Sequence, residues 1–355
     1  MPVFFVYTPN PHDGIMPAMK VSQIGEFGLI NKLAQQSNAA INKNSPANRQ
    51  LVKGIGDDAA VWRPGIPYQL ATIDSLVENV HFTLDSITWE ELGWKSIAVN
   101  LSDIAAMGGI PLYALISLGL PGNTEVKNIT RLYEGMLQIT RKFGVMLVGG
   151  DTVSSPFVFI SVTVFGSSSN KEGNVLLRSE AKPGDKIAVT GELGVSAGGL
   201  KMILETLKFN RDSMTVLRRA HLMPNPRIKE GQLLVKKGVK CGMDISDGLA
   251  GDLTHICEMR KMGAKIYIEK VPVSPVLRDS FGEKGLELAL TGGEDYELLF
   301  TAPDKTMKAV QKSLKCPVTV IGEITSANSG KVILMDNCGK RVNLKKTGWD
   351  HFSTK

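Results

Sequence analysis

The chain has 355 residues, of which 43% are hydrophobic and 21% charged, and its formal net charge is +6. This composition is typical of a globular protein, and the length suits two domains. No apolar run reaches the roughly 18 residues that a membrane helix needs, and the first lysine is Lys20, so a signal peptide is not expected. Aromatic residues make up only 6% and no Lys/Arg block contains them, which argues against nucleic acid. We therefore expect a cytoplasmic protein whose positive charge attracts small anions.

The spacing of cysteine and histidine argues against zinc. The four cysteines lie at least sixteen positions apart, so no C-x-x-C pair exists. The five histidines show no H-E-x-x-H pattern. We expect reduced thiols, and a hard cation rather than zinc if a metal is bound. The cysteines are Cys241, Cys257, Cys316 and Cys338.

The first half of the chain alternates predicted helices and strands. Residues 1–19 contain four prolines and no regular period, so a loose arm is predicted. Apolar spacing between 24 and 33 predicts a first helix, and a polar stretch over 37–50 follows it. A strand over 68–73 then places Asp74 at its C-terminal end. Further predicted elements are helices over 89–107 and 126–143, strands over 114–120 and 157–165, and a strand over 145–148 that ends before Asp151.

Residues 166–174 are the most linker-like segment of the interior, because they are rich in Gly, Ser and Asn. We therefore expect an N-terminal domain over 20–166 and a C-terminal domain over 167–355. The second half is predicted to contain strands over 186–190, 266–269, 296–301, 318–321 and 332–335, helices over 196–207 and 227–237, and a helix after 243–249. This alternation indicates an α/β fold.

The helix over 89–107 has two distinct faces. Its apolar stripe repeats at helical spacing and consists of Trp94, Ile97, Ala98, Leu101 and Ala105. Ser96, Asn100 and Asp103 align at i, i+4 and i+7 on the other side. Asp103 is therefore expected to leave the core face with polar neighbours. A solvated helix face would also explain an acid at this position.

A series of aspartates stands next to Gly, Ser or Thr at predicted turns and element ends. Each could be only a turn residue or a helix cap. Their recurrence at strand ends instead favours distant carboxylates that gather at one site. Such carboxylates repel one another unless a cation neutralises them, and oxygen ligands suit Mg²⁺, which also binds phosphates. The series comprises Asp57, Asp58, Asp74, Asp103, Asp151, Asp244 and Asp247.

Known kinase motifs are absent from the sequence. There is no G-x-x-x-x-G-K-[ST] loop and no H-R-D or D-F-G element. If the protein is a kinase, its phosphates are held chiefly by metal ions. Glycines at 54 and 56, 149 and 150, and 292 and 293 would let the backbone approach such a ligand.

The ordered motifs resemble the thiamine-monophosphate kinase family over about residues 21–352. The motifs are Ile24-Gly25-Glu26-Phe27, Gly56-Asp57-Asp58-Ala59-Ala60, Val80-His81-Phe82, Asn100-Leu101-Ser102-Asp103-Ile104, Gly149-Gly150-Asp151-Thr152, segments 243–249 and 292–296, and Gly348-Trp349-Asp350-His351-Phe352. The resemblance implies a two-domain α/β (α+β) fold like that of aminoimidazole ribonucleotide synthetase. It also implies a homodimer in which the mixed sheets of the N-terminal domains pair.

The activity that this resemblance implies is phosphorylation of thiamine monophosphate to thiamine diphosphate by ATP with several Mg²⁺ ions. The family's metal ligands fall on Asp58, Thr72, Asp74, Asp103, Asp151, Asp244 and Asp247. Its nucleotide contacts fall on Tyr133, Gly150, Asp151, Arg178 and Ser246, and its substrate contacts on His81, Glu294 and Trp349. Two positions depart from the pattern: Ile73 stands where Ser or Thr is usual, and Asn79 replaces a glycine.

The acceptor in that reaction is a phosphate monoester, which is largely dianionic at pH 7 because its second pKa is about 6. No catalytic base or covalent nucleophile is therefore expected, and Mg²⁺ would bring the two polyanions together for direct in-line transfer. Two alternatives stay open. One is another ATP-dependent enzyme of the superfamily, either a ligase-like ATPase or selenophosphate synthetase, although the latter expects a reactive N-terminal Cys and none precedes Cys241. The other is a non-catalytic nucleotide- or metal-binding module.

Overall fold

The computed structural model describes residues 19–41, 45–53, 61–62, 68–170, 172–344 and 348. Three predicted features lie outside these residues: the arm up to residue 18, the pair Asp57 and Asp58, and Trp349. Within the described ranges, every helix is too short or too polar to cross a membrane.

The N-terminal half forms a four-stranded sheet with two long helices on one face. Its elements are α1 (Val21–Ala39), α2 (Pro46–Gln50), β1 (Leu51–Lys53), β2 (Val61–Trp62), β3 (Gln69–Val77), α3 (Trp89–Ala106), β4 (Ile110–Leu120), α4 (Val126–Phe143), β5 (Met146–Ser154) and β6 (Phe159–Ser167). The strand order is β3-β6-β4-β5, and only β4 and β5 are parallel. β1 and β2 form a separate antiparallel pair. The mixed sheet agrees with the expected fold.

Helices α3 and α4 pack with their backbones almost in contact. A Cβ atom on Gly93 would lie 1.8 Å from the carbonyl oxygen of Leu132, and one on Gly135 would lie 1.9 Å from that of Glu90. Only glycine fits at either position. α3 begins with a capping box, in which Thr88 and Glu91 each accept the other's backbone N–H. Both helices had been predicted from the sequence, α4 with the observed bounds.

The C-terminal half forms a seven-stranded sheet surrounded by helices. Its elements are β7 (Lys186–Thr190), α5 (Val195–Leu204), α6 (Arg211–Leu222), α7 (Ile228–Lys236), β8 (Cys241–Asp244), α8 (Leu249–Arg260), β9 (Gly263–Tyr267), α9 (Pro275–Phe281), α10 (Lys284–Thr291), β10 (Leu298–Ala302), α11 (Asp304–Ser313), β11 (Val318–Thr325), β12 (Val332–Met335) and β13 (Arg341–Val342). The strand order is β13-β12-β9-β11-β7-β10-β8, with β9 and β12 parallel. Four helices, α6, α9, α10 and α11, are additional to the predicted elements.

Helix α3 connects the two halves, because its second face is buried against the C-terminal half. One hydrophobic core includes Ile97 and Leu101 of α3 together with Leu234 and Phe300. The indole Nε1 of Trp94 donates a hydrogen bond of 2.7 Å to the carbonyl oxygen of Pro224. α3 is therefore an interior helix of the whole molecule.

The polar side of α3 is not a solvated helix face at two of its three residues. Ser96 and Asn100 are both fully buried. Their side chains bond to the helix itself: Ser96 Oγ donates to the carbonyl oxygen of Gly93 at 2.9 Å, and Asn100 Nδ2 donates to that of Ser96 at 3.1 Å. Local bonds of this kind let a polar side chain be buried within a helix.

Two of the aspartates lie inside strands, whereas the sequence placed them directly after strand ends. β3 continues past Asp74 to Val77, and β5 continues past Asp151 to Ser154. The glycines before Asp151 suggested a turn, yet Gly150 pairs with Ile116 of β4 in the ladder. The alternation of a strand, rather than its end, therefore decides where these side chains point.

Candidate active site

Three carboxylates from distant parts of the chain meet where α3 lies between the two sheets. Thr72 and Asp74 occupy alternate positions of β3, so both point toward α3. Thr72 Oγ1 donates a hydrogen bond of 2.5 Å to Asp103 Oδ2 on α3. Ser102 Oγ, on the same helix, donates one of 2.6 Å to Asp244 Oδ2 at the end of β8. We call Asp74, Asp103 and Asp244 the acid cluster.

The electrostatics of the acid cluster favour the binding of a cation. Burial, followed by the charges of Asp103 and Asp244, raises the pKa of Asp74 to about 7. Burial and the charge of Asp103 raise the pKa of Asp244 to about 6, although Ser102 and Arg178 act against this. Burial also raises the pKa of Asp103, against the hydrogen bond from Thr72 and the charge of Arg178. Neighbouring carboxylates in this state ionise together only when a positive charge is added.

The turn after β8 carries Asp247 and is shaped by Asp252 in the first turn of α8. Asp252 Oδ2 accepts the backbone N–H groups of Ser246, Asp247 and Gly248 at 3.1, 3.2 and 3.1 Å. Burial and the charges of Asp244 and Asp247 nevertheless raise the pKa of Asp252 to about 7. One ligand atom each from Asp247, Asp252 and His255 lies within 4.8 Å of the others. The turn that carries Asp247 is thus held by a residue that sequence analysis did not select.

Glu294 lies in the loop before β10 and is held from both sides. Its Oε1 lies 2.8 Å from Nζ of Lys95 on α3, and its Oε2 lies 3.2 Å from Nδ1 of His221 on α6. Burial favours the neutral acid, but Lys95 and His221 outweigh it and keep the pKa of Glu294 well below its usual range. The carboxylate is therefore ionised, with 29% of its side chain exposed. Sequence analysis predicted Glu294 as a site residue but did not predict Lys95. In the sequence, Lys95 stands out only as a positive charge within a mostly apolar part of a helix.

Asp151 lies on the opposite face of the N-terminal sheet from Asp74. Paired residues of adjacent strands point to the same face. Asp74 pairs with Val162, Val162 pairs with Ile116, and Ile116 pairs with Gly150. Gly150 therefore lies on the same face of the sheet as Asp74, and the next residue, Asp151, points to the opposite face. The fold of one chain does not bring Asp151 to the acid cluster.

The face that carries Asp151 is the open face of the N-terminal sheet. Ile73 also lies there and is 63% exposed, so the residue that departs from the family pattern points away from the acid cluster. Asp151 stands three strand spacings from β3, about 14 Å across the sheet. The residues that pair in line with Asp151 across the sheet, on the same face, carry hydroxyl side chains; they are Ser117, Ser161 and Ser75.

The other predicted site residues differ in their surroundings. Arg178 is close enough to lower the pKa of Asp103 and of Asp244. Ser246 lies in the turn that Asp252 holds. Tyr133 is 8% exposed within the hydrophobic core, and its burial raises the pKa of its phenol. Arg178 and Ser246 therefore adjoin the acid cluster, whereas Tyr133 packs inside the N-terminal half.

His81 follows a tight turn at the end of β3. Its Nδ1 accepts the backbone N–H of Val77 at 3.1 Å, which fixes the ring. Asn79, two residues earlier, has a φ of +64°. Glycine adopts this left-handed conformation most readily, and asparagine is among the few other residues that tolerate it. The substitution of the family's glycine by Asn79 therefore preserves the turn.

The geometry is that of a site built from carboxylates and hydroxyls, which converge from both sheets and α3. Its oxygen ligands, Thr72 included, suit a hard cation that also binds phosphate oxygens. A family model of AIR synthase related proteins, N-terminal domain, matches residues 56–168, and the model of their C-terminal domain matches residues 182–335. The chain is therefore a two-domain AIR synthase related protein, as the sequence motifs implied.

Comparison with individual proteins narrows this class. The thiamine-monophosphate kinase of Buchnera aphidicola subsp. Schizaphis graminum is 38% identical over 338 residues, which is 93% of this chain and 99% of that protein. The crystal structure of thiamine-monophosphate kinase from Stenotrophomonas maltophilia K279a is 32% identical, with a TM-score of 0.77 over 90% of this chain and 98% of that chain. The structure of AaThiL complexed with AMPPCP and TMP is 34% identical, with a TM-score of 0.71 over 95% and 100%. The chain belongs to the thiamine-monophosphate kinase family.

Proposed function

We propose that this protein transfers the γ-phosphoryl group of ATP to thiamine monophosphate and forms thiamine diphosphate and ADP, the last step of thiamine diphosphate synthesis. The observation that carries the proposal is the acid cluster: Asp74, Asp103 and Asp244 converge from two sheets and one helix, with the pKa of Asp74 raised to about 7 and that of Asp244 to about 6. Membership of the family supplies the substrates. The related structure holds AMPPCP and TMP.

Mg²⁺ is the cation that these residues fit, because the cluster offers buried carboxylates and a hydroxyl whose mutual repulsion needs a positive charge. We assign Asp58, Thr72, Asp74, Asp103, Asp151, Asp244 and Asp247 as the residues that hold Mg²⁺ ions. The bound ions would neutralise the phosphates and the charge that develops on them during transfer. Asp58 lies outside the described residues, and Asp151 faces away from the cluster of its own chain.

The remaining site residues are assigned by family resemblance and supported by their positions. We assign Gly150, Asp151, Arg178, Ser246 and Tyr133 to ATP, and His81, Glu294 and Trp349 to thiamine monophosphate. Arg178 and Ser246 adjoin the acid cluster, and Arg178 brings positive charge for phosphate oxygens. Tyr133 is 8% exposed, so only a small part of its side chain is available for such a contact.

In this reaction the protein needs to position the reacting phosphate groups rather than to activate them. The acceptor phosphate is already a nucleophile at neutral pH because its second pKa is about 6. Transfer is therefore direct, and the chain aligns the attacking oxygen with the γ-phosphorus. A phosphorylated protein intermediate, detected as radiolabel retained from γ-labelled ATP, would contradict this part of the proposal.

We propose a homodimer in which the open faces or edges of two N-terminal sheets pair. In support, Ile73 is 63% and Val153 is 42% exposed on that face. Exposed apolar side chains on a sheet face are compatible with contact with another chain. We also propose the domain division between residues 166 and 167, since the four-stranded sheet ends at Ser167 and the seven-stranded sheet begins at Lys186.

A cytoplasmic location is proposed because all four cysteines, each of them described, are free thiols.

The test is to incubate the protein with Mg²⁺, ATP and thiamine monophosphate and to separate thiamine diphosphate and ADP by chromatography. The proposal expects equal amounts of both products, formed only when acceptor and Mg²⁺ are present. ADP without thiamine diphosphate would indicate another ATP-dependent reaction of the superfamily. Binding of ATP without any product, by protein with a cooperative unfolding transition, would indicate a binding module and overturn the proposal.

A further inference from the structure

Lys95 is a buried cation in the centre of the molecule. It lies on α3 and is 1% exposed, between Trp94 and Ser96, which are also buried. A buried ammonium group loses its hydration and is stable only beside a compensating charge. That charge is Glu294, whose Oε1 lies 2.8 Å from Lys95 Nζ. Because an apolar side chain would fill the same space at lower cost, the position of Lys95 indicates a task beyond packing.

Glu294 belongs to a loop with a strained backbone. Its φ is +66° and that of Tyr296 is +52°, both in the left-handed region that few residues other than glycine adopt. Such a conformation persists only where surrounding contacts fix it. The backbone N–H of Glu294 donates to the carbonyl oxygen of Ser246 at 2.7 Å, and that of Tyr296 donates to Ile245 at 2.9 Å. The loop is therefore attached to the segment that runs from Asp244 to Asp247.

The loop is also fixed on its far side. Asp295 accepts the backbone N–H groups of Gly194 and Ser196 at 2.6 and 3.2 Å, at the start of α5. The side chain of Glu294 thus has α5 and α6 on one side, with His221 as its contact there. On the other side its contact is Lys95, which comes from the N-terminal half. Lys95 therefore links the side chain of Glu294 directly to α3, the helix of the acid cluster.

Two residues of one α3 face reach the C-terminal half at the site. Ser102 follows Lys95 by two turns, so the two side chains lie on the same side of the helix. Ser102 bonds to Asp244 at 2.6 Å, while Lys95 bonds to Glu294. The same helix therefore fixes the spacing between a carboxylate of the acid cluster and the carboxylate assigned to the phosphate acceptor.

We propose that Lys95 is a positioning residue for the phosphate acceptor, which holds Glu294 and its loop at a fixed distance from the acid cluster. This inference rests on the proposed function, in which Glu294 contacts thiamine monophosphate. It predicts that loss of Lys95 weakens the binding of the acceptor far more than the binding of ATP, because the side chain that Lys95 holds, Glu294, is assigned to the acceptor.

The experiment compares Lys95→Met with Lys95→Arg in the full chain and measures KM for both substrates. Lys95→Met is expected to raise KM for thiamine monophosphate by about tenfold or more, the loss expected when an ionic hydrogen bond no longer orients its partner. KM for ATP should change less than about twofold, and Lys95→Arg should recover most of the loss because it keeps the charge.

Arg218→Met is the matched control, because Arg218 also forms an ion pair between the halves, with Glu91 of the same helix at 2.7 Å. It should leave KM for both substrates unchanged. Equal effects of Lys95→Met and Arg218→Met would mean that general docking of the halves, rather than positioning of Glu294, explains the loss, and would overturn the inference.

A double variant keeps the test valid if Lys95→Met destabilises the fold. Lys95→Met with Glu294→Gln removes both charges, and its KM for thiamine monophosphate should equal that of Glu294→Gln alone, since Lys95 acts through Glu294. Additive losses would overturn the inference. Wild-type protein without turnover would overturn the proposed function, and this inference with it, whereas active wild type with an unchanged KM in Lys95→Met would overturn only the inference.

Discussion

The hydroxyl of Ser102 donates a hydrogen bond of 2.6 Å to the carboxylate of Asp244, 142 residues further along the chain. The next residue of the same helix, Asp103, accepts a hydrogen bond from Thr72 of β3. One turn of α3 therefore positions ligand atoms from both sheets. Because the contacts are adjacent in sequence, their relative geometry is as rigid as the helix itself.

Replacing Ser102 by alanine should disturb Asp244 without filling or opening much space. The Asp244 carboxylate is buried, so losing its donor should cost about 1–3 kcal/mol of unfolding free energy in the metal-free protein. The pKa of Asp244 should rise further, because that hydrogen bond opposes the effect of burial. Chemical denaturation at pH 7, together with turnover, tests this. Unchanged stability and turnover would show that the bond has no role.

The metal-free protein should lose stability as pH rises. Burial and its neighbours raise the pKa of Asp74 from 3.8 to about 7, so the folded state holds a proton that the unfolded state has released. The stabilisation from that proton is complete below pH 3.8 and is lost as pH rises through about 7. Thermal unfolding in a chelator should therefore show a midpoint that falls as pH rises from about 5 to about 7.

Mg²⁺ should stabilise the fold more at pH 8 than at pH 5, because it competes with the proton on Asp74. Asp74→Asn should raise the unfolding midpoint without metal, since it removes a buried charge from the cluster. It should also reduce the Mg²⁺-dependent increase and lower turnover by about 1000-fold or more. A variant with normal turnover would contradict the assignment of Asp74 to the metal.

Gly93→Ala should be strongly destabilising, because the added Cβ would lie 1.8 Å from the Leu132 carbonyl oxygen on α4. Backbone atoms cannot move aside as a side chain would, so a loss of about 3 kcal/mol or more is expected. Gly285→Ala in α10 is the control, since its Cβ would have an ordinary contact of 3.4 Å with Leu277. That variant should be neutral or slightly stabilising in the same denaturation experiment.

Ile73→Lys should separate a dimer if the open sheet face is its interface. A charge introduced at the centre of an apolar contact would be buried without a partner. Light scattering should then give the mass of a monomer. Lys127→Ala, a change at an exposed lysine of α4, should leave the mass unchanged. A dimer that survives Ile73→Lys would place the interface elsewhere.

The sequence predicted the two long helices α3 and α4 and the family, but not the way in which the site is assembled. The stripe from Trp94 to Ala105 predicted α3, because helical spacing is a local property. The burial of Ser96 and Asn100 was not predicted, because a polar face looks the same whether it meets water or another half of the chain. Asp252 was missed for a similar reason: its task is to accept three N–H groups of a turn, which no pattern of residue types displays.

The predicted ends of strands were the other source of error, and one of them affects the direction expected for the side chain of Asp151. Glycines at 149 and 150 favoured a turn, and a turn would have left the direction of Asp151 open. Within a continuous β5 the direction is fixed by alternation, and it opposes that of Asp74. Local composition cannot reveal this, because the pairing with β4 that keeps the strand straight comes from residues more than thirty positions away.

The position of α3 between the sheets has a consequence for folding. Its residues Ile97 and Leu101 belong to the same apolar core as Leu234 and Phe300 of the other half. Neither half can complete that core alone, so heat or denaturant should unfold the chain in a single cooperative transition, and either half produced separately would present an uncovered apolar surface to water. The two domains of this molecule therefore depend on each other for stability, although each domain by itself is related in sequence to other proteins.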